Sequence, residues 1–313
     1  WQRQPLPGLP EFVEISASAI DDETGDDYFL TITDFLTPTS LFHGTIGQGA
    51  PAKWKSLPAF FDASGLAVEQ RETTSKDGTR VPYFLVAKKG IARDGKNPTL
   101  LYGYGGFEVS LTPGYSATVG AAWLERGGVY AVANIRGGGE FGPKWHQAAL
   151  KQHRHRCYED FAAVAQDLIA QKITSKAHLG IQGGSNGGLL MGNMLTSYPE
   201  LFGAIACQVP LLDMQRYHVL LAGASWMGEY GNPDDPAEWA WLQKYSPYHN
   251  VRAGTVYPKV LFTTSTRDDR VHPGHARKMM ARMMEQKHGA LYYENIEGGH
   301  GGAADNKQVA FLS

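Results

Sequence analysis

Residues 179–189 read Leu179-Gly180-Ile181-Gln182-Gly183-Gly184-Ser185-Asn186-Gly187-Gly188-Leu189. The first four form a short apolar strand, and the run from Leu189 to Leu195 continues as a helix. Between them lies G-x-S-x-G, from Gly183 to Gly187. A serine on such a tight strand-to-helix turn is held in strained backbone geometry, with its hydroxyl raised above the sheet. Glycines two residues to either side remove the Cβ atoms that would collide where strand and helix cross. The helix that follows aims free N–H groups at a developing oxyanion. The bland alternative is an ordinary glycine-rich turn, so the decision rests on whether catalytic partners exist.

A hydroxyl nucleophile needs a general base, and the base needs a carboxylate to fix its tautomer. In an α/β-hydrolase they follow the serine in the order acid, then histidine, each on a loop after a later strand. The strand Lys259–Ser265 ends in Thr266-Arg267-Asp268-Asp269-Arg270-Val271, and the last strand ends in Glu297-Gly298-Gly299-His300-Gly301-Gly302. Strand carboxyl ends are where open α/β sheets hold their chemistry. His300, among glycines, is the candidate base. Spacing leaves the acid open. Asp268 and Asp269 are neighbours pointing opposite ways, and Asp213, after an earlier strand, is a third candidate.

Outward from this centre, short apolar strands alternate with helical runs. The predicted strands are Thr99–Tyr104, Val129–Ile135, Leu179–Gly183, Ala204–Val209, Lys259–Ser265 and Ala290–Ile296. The predicted helices include Ala117–Arg126, a run with Tyr158, Phe161, Ala165, Leu168 and Ile169 at helical spacing, and one with Ala276, Met279, Met280, Met283 and Met284. Strand–helix alternation implies a mostly parallel sheet with helices on both faces, an α/β-hydrolase fold. Leu66–Thr73 and Arg80–Ala87 flank Lys76-Asp77-Gly78 as a hairpin. The first sixty residues differ. Phe12–Ile15, Tyr28–Ile32 and Ser40–Thr45 read as short strands with acidic, Gly- and Pro-containing turns between them, enough for one antiparallel sheet but not an independent β-domain.

The bulk numbers exclude several classes. Lys and Arg total 29 against 31 Asp and Glu, a net charge of −2, so no basic surplus exists to neutralise a nucleic-acid backbone. No apolar run approaches the roughly 18–20 residues that span a bilayer. Cys157 and Cys207 form no CxxC and read as small buried side chains. The expected setting is cytoplasmic, with a periplasmic or secreted one as the alternative. Gly137-Gly138-Gly139-Glu140-Phe141-Gly142 matches G-x-G-x-x-G, which raises a dinucleotide-binding oxidoreductase as a second hypothesis. It opens no immediate apolar helix and falls mid-domain, so a wide turn between neighbouring loops is the better reading. His153-Arg154-His155-Arg156 lacks a nearby acidic or cysteine partner and reads as a solvated basic loop rather than a metal site. No metal or organic cofactor is expected.

At these residues the chain closely resembles the prolyl oligopeptidases. The matching text is Leu101-Tyr102-Gly103-Tyr104-Gly105-Gly106-Phe107, Asn134-Ile135-Arg136-Gly137-Gly138-Gly139-Glu140-Phe141-Gly142, Gly183 to Gly188, Asp268-Asp269-Arg270-Val271 and Gly299-His300-Gly301. The resemblance implies a Ser185, Asp268, His300 triad, with Tyr104 and the Asn186 N–H holding the oxyanion. It implies that Trp226 stacks on a substrate proline, that Phe107, Tyr230 and Val271 wall that pocket, and that Arg270 bonds a substrate carbonyl. Stacking suits proline, which offers an apolar ring and no N–H. The activity implied is cleavage of short peptides after proline; a serine hydrolase of another specificity is the alternative. Family members carry a β-propeller over the active site. Here residues 1–62 resemble only a last-blade remnant with its linker, and 63–313 the catalytic domain. The missing propeller portion is thus an implied partner, and a monomer the expected state. The chain is also expected to depart from the family after His300, stopping at Ser313 where the resemblance implies a closing helix.

Overall fold

The structure, a computed structural model, describes residues 5–312. The chain divides into two compact units: Trp1–Gln70 with Val86–Lys89 and Thr112–Gly128, and Arg71–Leu85 with Gly90–Leu111 and Val129–Ser313. The boundary expected after residue 62 falls within the first of these.

In the first unit, β1 (Glu14–Ala19), β2 (Asp27–Thr33), β3 (Ser40–Thr45) and β4 (Ala52–Ser56) form an antiparallel sheet in sequence order. Leu30 and Ile32 of β2 are buried. The strand expected from Phe12 begins at Glu14, because Phe12 has φ 55° and cannot extend. β4 was not anticipated. All of its residues are exposed, although Ala52 and Trp54 alternate with Lys53 and Lys55, a period-two pattern that could have marked the strand. Trp54 stacks on Phe29 at 5.1 Å. The helix expected over 117–126 ends at Leu124 and widens to a π-helix from Gly120, with the Glu125 N–H reaching Gly120 O.

The larger sheet has eight strands: β5 (Leu66–Thr74), β6 (Arg80–Lys88), β7 (Thr99–Gly103), β8 (Val129–Ala133), β9 (Leu179–Gly184), β10 (Ala204–Gln208), β11 (Lys259–Ser265) and β12 (Leu291–Asn295). Their order is β12-β11-β10-β9-β7-β8-β6-β5, and every adjacent pair from β12 to β8 is parallel. This is the expected α/β-hydrolase sheet. Parallel pairing brings the carboxyl ends of β7, β9, β11 and β12 to one edge, which is where the candidate residues follow. The helix His155–Ala170 buries Tyr158, Phe161, Ala165 and Leu168 as its spacing predicts. Cys157 and Cys207 are buried and free, and burial pushes both thiols up, Cys157 to about 12. Asn306–Leu312 is nonetheless helical, although the sequence reading has the chain stop where a closing helix would come.

The helix Gly274–Glu285 buries Ala276, Met279 and Met283, while Met284 is exposed, so the methionine stripe is wider than the face it packs. His275 on this helix is 1% exposed, and its Nδ1 accepts the N–H groups of Leu212 and Asp213 at 3.2 and 3.1 Å. Two donors on Nδ1 require a neutral ring with its proton on Nε2. Burial dominates and lowers the His275 pKa to about 4, against an upward pull from Asp213. Between the unfolded value near 6.5 and about 4, the unfolded chain binds a proton that the native chain does not. Stability therefore falls with falling pH across this window, by about 3 kcal/mol in all. In His275→Asn, whose Oδ1 can accept the same N–H groups, unfolding free energy measured from pH 7 to 4.5 should fall less steeply. Equal slopes would count against this account.

Candidate active site

β9 stops at Gly184, and the chain reverses into the helix Asn186–Ser197 through Ser185, at φ 59° and ψ −116°. Such a conformation costs an L-residue about 1–3 kcal/mol. It is held by the Ser185 N–H donating to Gln208 O of β10 at 2.9 Å, and by Ser185 O accepting from Gly188 and Leu189 N–H at 2.9 and 3.1 Å. A Cβ on Gly183 would sit 2.5 Å from Gly187 O, so the strand meets the helix only as glycine. Asn186 opens the helix, and first-turn N–H groups have no acceptor within their own helix.

Asp268 follows β11 and is 4% exposed; its Oδ2 lies 2.8 Å from Nδ1 of His300, which follows β12. Its Oδ1 accepts the N–H groups of Arg270 and Val271, both at 2.9 Å. Burial alone would raise its pKa. The His300 bond and the two backbone donors outweigh that and hold the carboxyl below its ordinary value. A charged carboxylate on Nδ1–H leaves Nε2 free to accept a proton. The other two acid candidates go elsewhere. Asp269 is exposed. Asp213 is buried and paired with Lys278 and, at 3.4 Å, with Arg216.

Asp268 and His300 are thus joined, but Ser185 is not joined to them. Among the described residues, Ser185 Oγ has no hydrogen-bond partner. A cavity of about 150 Å³ is lined by Gly184, Gln208 and Val209 and also by His300, Gly301 and Gly302. The histidine loop is braced from below, where Asn295 Nδ2 donates to Gly302 O and to Gln308 Oε1, both at 2.7 Å. Catalytic hydrogen bonds commonly tighten only in the substrate complex.

Tyr104 follows β7, and its ring borders the turn: Cδ2 lies 3.6 Å from where a Gly187 Cβ would stand. Burial raises its pKa, so the phenol stays a donor at neutral pH. Phe107 and Trp226 are partly exposed. Phe107 meets Tyr230 edge-on at 5.6 Å. Tyr230 is fully buried, with its hydroxyl on Asn186 Oδ1 at 2.8 Å, and Val271 is 2% exposed. Buried as they are, these two present no surface that a substrate could touch. Arg270 is exposed beside Asp268.

Arg154 corrects the sequence reading. It is no solvated loop residue but the largest fully buried side chain among the described residues. Its guanidinium bonds Glu229 at 2.5 Å and Asn186. The counter-charge lies 75 residues away, which no local pattern announces. Glu229 in turn takes the Phe107 N–H at 3.0 Å and bonds His146 Nε2 at 2.7 Å. The glycine decoy resolves as a packing turn, since Cβ atoms on Gly137 and Gly139 would strike the carbonyls of Gly105 and Glu108. Among the described residues, no three His, Cys, Asp or Glu side chains are grouped to hold a metal, and no helix is long and apolar enough to cross a membrane.

Residues 115–313 match the model of the prolyl oligopeptidase family. An uncharacterized peptidase of Sinorhizobium fredii, y4nA, is 57% identical over 302 residues, covering 96% of this chain and 42% of its own length. A prolyl endopeptidase of Elizabethkingia miricola is 41% identical over 292 residues, 92% of this chain and 41% of its own. The structure of a post-proline cleaving enzyme from Rickettsia typhi superposes with a TM-score of 0.87 at 42% identity, over 95% of this chain and 43% of that one. The chain therefore spans less than half the length of these relatives.

The geometry distinguishes the adjacent carboxylates. Asp268→Asn should slow labelling of Ser185 by a fluorophosphonate about 10³-fold or more, while Asp269→Asn stays within about two-fold of the parent. Comparable losses in both variants would contradict the assignment.

Proposed function

Because this chain belongs to the prolyl oligopeptidase family, we propose that it is the catalytic part of a serine endopeptidase that cuts short peptides on the carboxyl side of proline. The observation that carries the reading is the 2.8 Å bond between Asp268 and His300 on the loops after β11 and β12, at the same sheet edge as the strained Ser185.

His300 Nε2 takes the Ser185 proton as Oγ attacks the carbonyl of the proline residue. Asp268 holds the ring and stabilises the imidazolium that forms. The tetrahedral oxyanion lies between the Tyr104 hydroxyl and the Asn186 N–H. His300 then protonates the leaving nitrogen, and the C–N bond breaks to leave an acyl-enzyme. Water, losing its proton to His300, attacks the ester and restores Ser185. Trp226 and Phe107 offer aromatic surface to the proline ring, and the Arg270 guanidinium is suited to a substrate carbonyl on the acyl side. The four-stranded sheet β1–β4 suits one blade of a propeller, with the catalytic domain from about residue 63 and the rest of the propeller as its partner.

Chromogenic peptides with Pro, Arg or Ala before the cleaved bond test the specificity. Hydrolysis should be confined to the Pro substrate and be lost in Ser185→Ala. Preferential cleavage after Arg or Ala would identify a hydrolase of another specificity. Tyr104→Phe should lower kcat about 10²–10³-fold with little change in KM, and an unchanged kcat would remove Tyr104 from the oxyanion role.

A further inference from the structure

We infer that the buried Arg154–Glu229 pair positions the oxyanion side of the site, acting through Asn186 and the Tyr104–Phe107 loop; this rests on the Tyr104 role proposed above. Arg154 stands at the start of the helix His155–Ala170 and is 1% exposed, and Glu229 is 5% exposed. One guanidinium nitrogen donates to Glu229 Oε1 at 2.5 Å and the other to Asn186 Oδ1, while the group lies over the Tyr230 ring at 5.1 Å. Asn186 Oδ1 also accepts the Tyr230 hydroxyl at 2.8 Å. With two donors on that oxygen the amide cannot flip, and Nδ2 must face the Tyr104 carbonyl, which it bonds at 2.7 Å.

The loop is therefore held at three places in four residues. Asn186 takes the Tyr104 carbonyl. A Cβ on Gly106 would lie 2.5 Å from Asn186 Nδ2 and 2.7 Å from Arg154, so the chain passes against the pair as glycine. Glu229 Oε1 accepts the Phe107 N–H at 3.0 Å. Both proposed oxyanion donors, the Tyr104 hydroxyl and the Asn186 N–H, belong to residues fastened to this one pair. A guanidinium spans Glu229 and Asn186 with two separate nitrogens. A lysine ammonium keeps the charge but cannot reproduce that fork. The rival explanation is an ion pair that serves stability alone.

A double-mutant cycle on the full chain separates the two. Arg154→Lys should lower kcat for the proline peptide about ten-fold with KM within about two-fold. In the Tyr104→Phe background the same substitution should lower kcat by a clearly smaller factor than in the parent, because one of the two donors it positions is already gone. Glu229→Gln, which keeps an acceptor but drops the charge, should follow the same pattern. Full kcat with a lowered Tm, or equal losses in both backgrounds, would overturn the positioning role alone. Normal turnover in Tyr104→Phe by itself would overturn the oxyanion reading and this inference with it.

Discussion

The site depends on one backbone constraint: Ser185 must stay in a conformation that its side chain disfavours. The restraints are ordinary hydrogen bonds, from Ser185 N–H to Gln208 O and from the first turn of the helix back to Ser185 O. They hold because β9 is internal to the sheet, flanked by β7 and β10. A strand at the edge would lack a neighbour on one side to fix its last residue. The parallel sheet thus supplies the restraints that offset the strain at Ser185, and the helix following it opens at Asn186, whose N–H is the proposed oxyanion donor.

The same sheet explains why the partners are far apart in sequence and close in space. Asp268 and His300 leave adjacent parallel strands, β11 and β12, whose ends are in register from Leu261 opposite Leu291 to Ser265 opposite Asn295. Their side chains meet without either loop reaching far. Asp268 is buried and its second oxygen is filled by two backbone donors, so it is fixed before it orients the imidazole. His300 sits on a loop with glycines on both sides and lines a cavity, and the Asn295 brace grips that loop at Gly302 rather than at His300 itself, so the base is the less constrained member of the pair.

The sequence made legible those features whose causes are local. The G-x-S-x-G turn, the strand runs and the order of acid and base needed only neighbours in the chain, and β3 and β11 match their expected bounds. Local patterns could not rank Asp268 over Asp269 or Asp213, because their difference is burial and partner choice; only the family resemblance favoured Asp268. β4 was missed although Ala52-Lys53-Trp54-Lys55 alternates; the run is short and wholly exposed, and the contact that anchors it, Trp54 stacked on Phe29, reaches a strand distant in the chain. Arg154 was misread because a buried cation is legible only beside its anion. Glu229, Asn186 and Tyr230 reach it from two other parts of the chain. The burial of Tyr230 and Val271, likewise, follows from what packs over them and not from their residue type.

The central claim is that the Asp268–His300 pair serves Ser185. Its most direct measurement is the distance from Ser185 Oγ to His300 Nε2 in a crystal structure of the full chain with a noncovalent product peptide ending in proline. The account predicts a hydrogen bond of about 2.6–3.2 Å. An imidazole that stays bonded to Asp268 but beyond hydrogen-bonding reach of the serine, with the peptide seated, would contradict it.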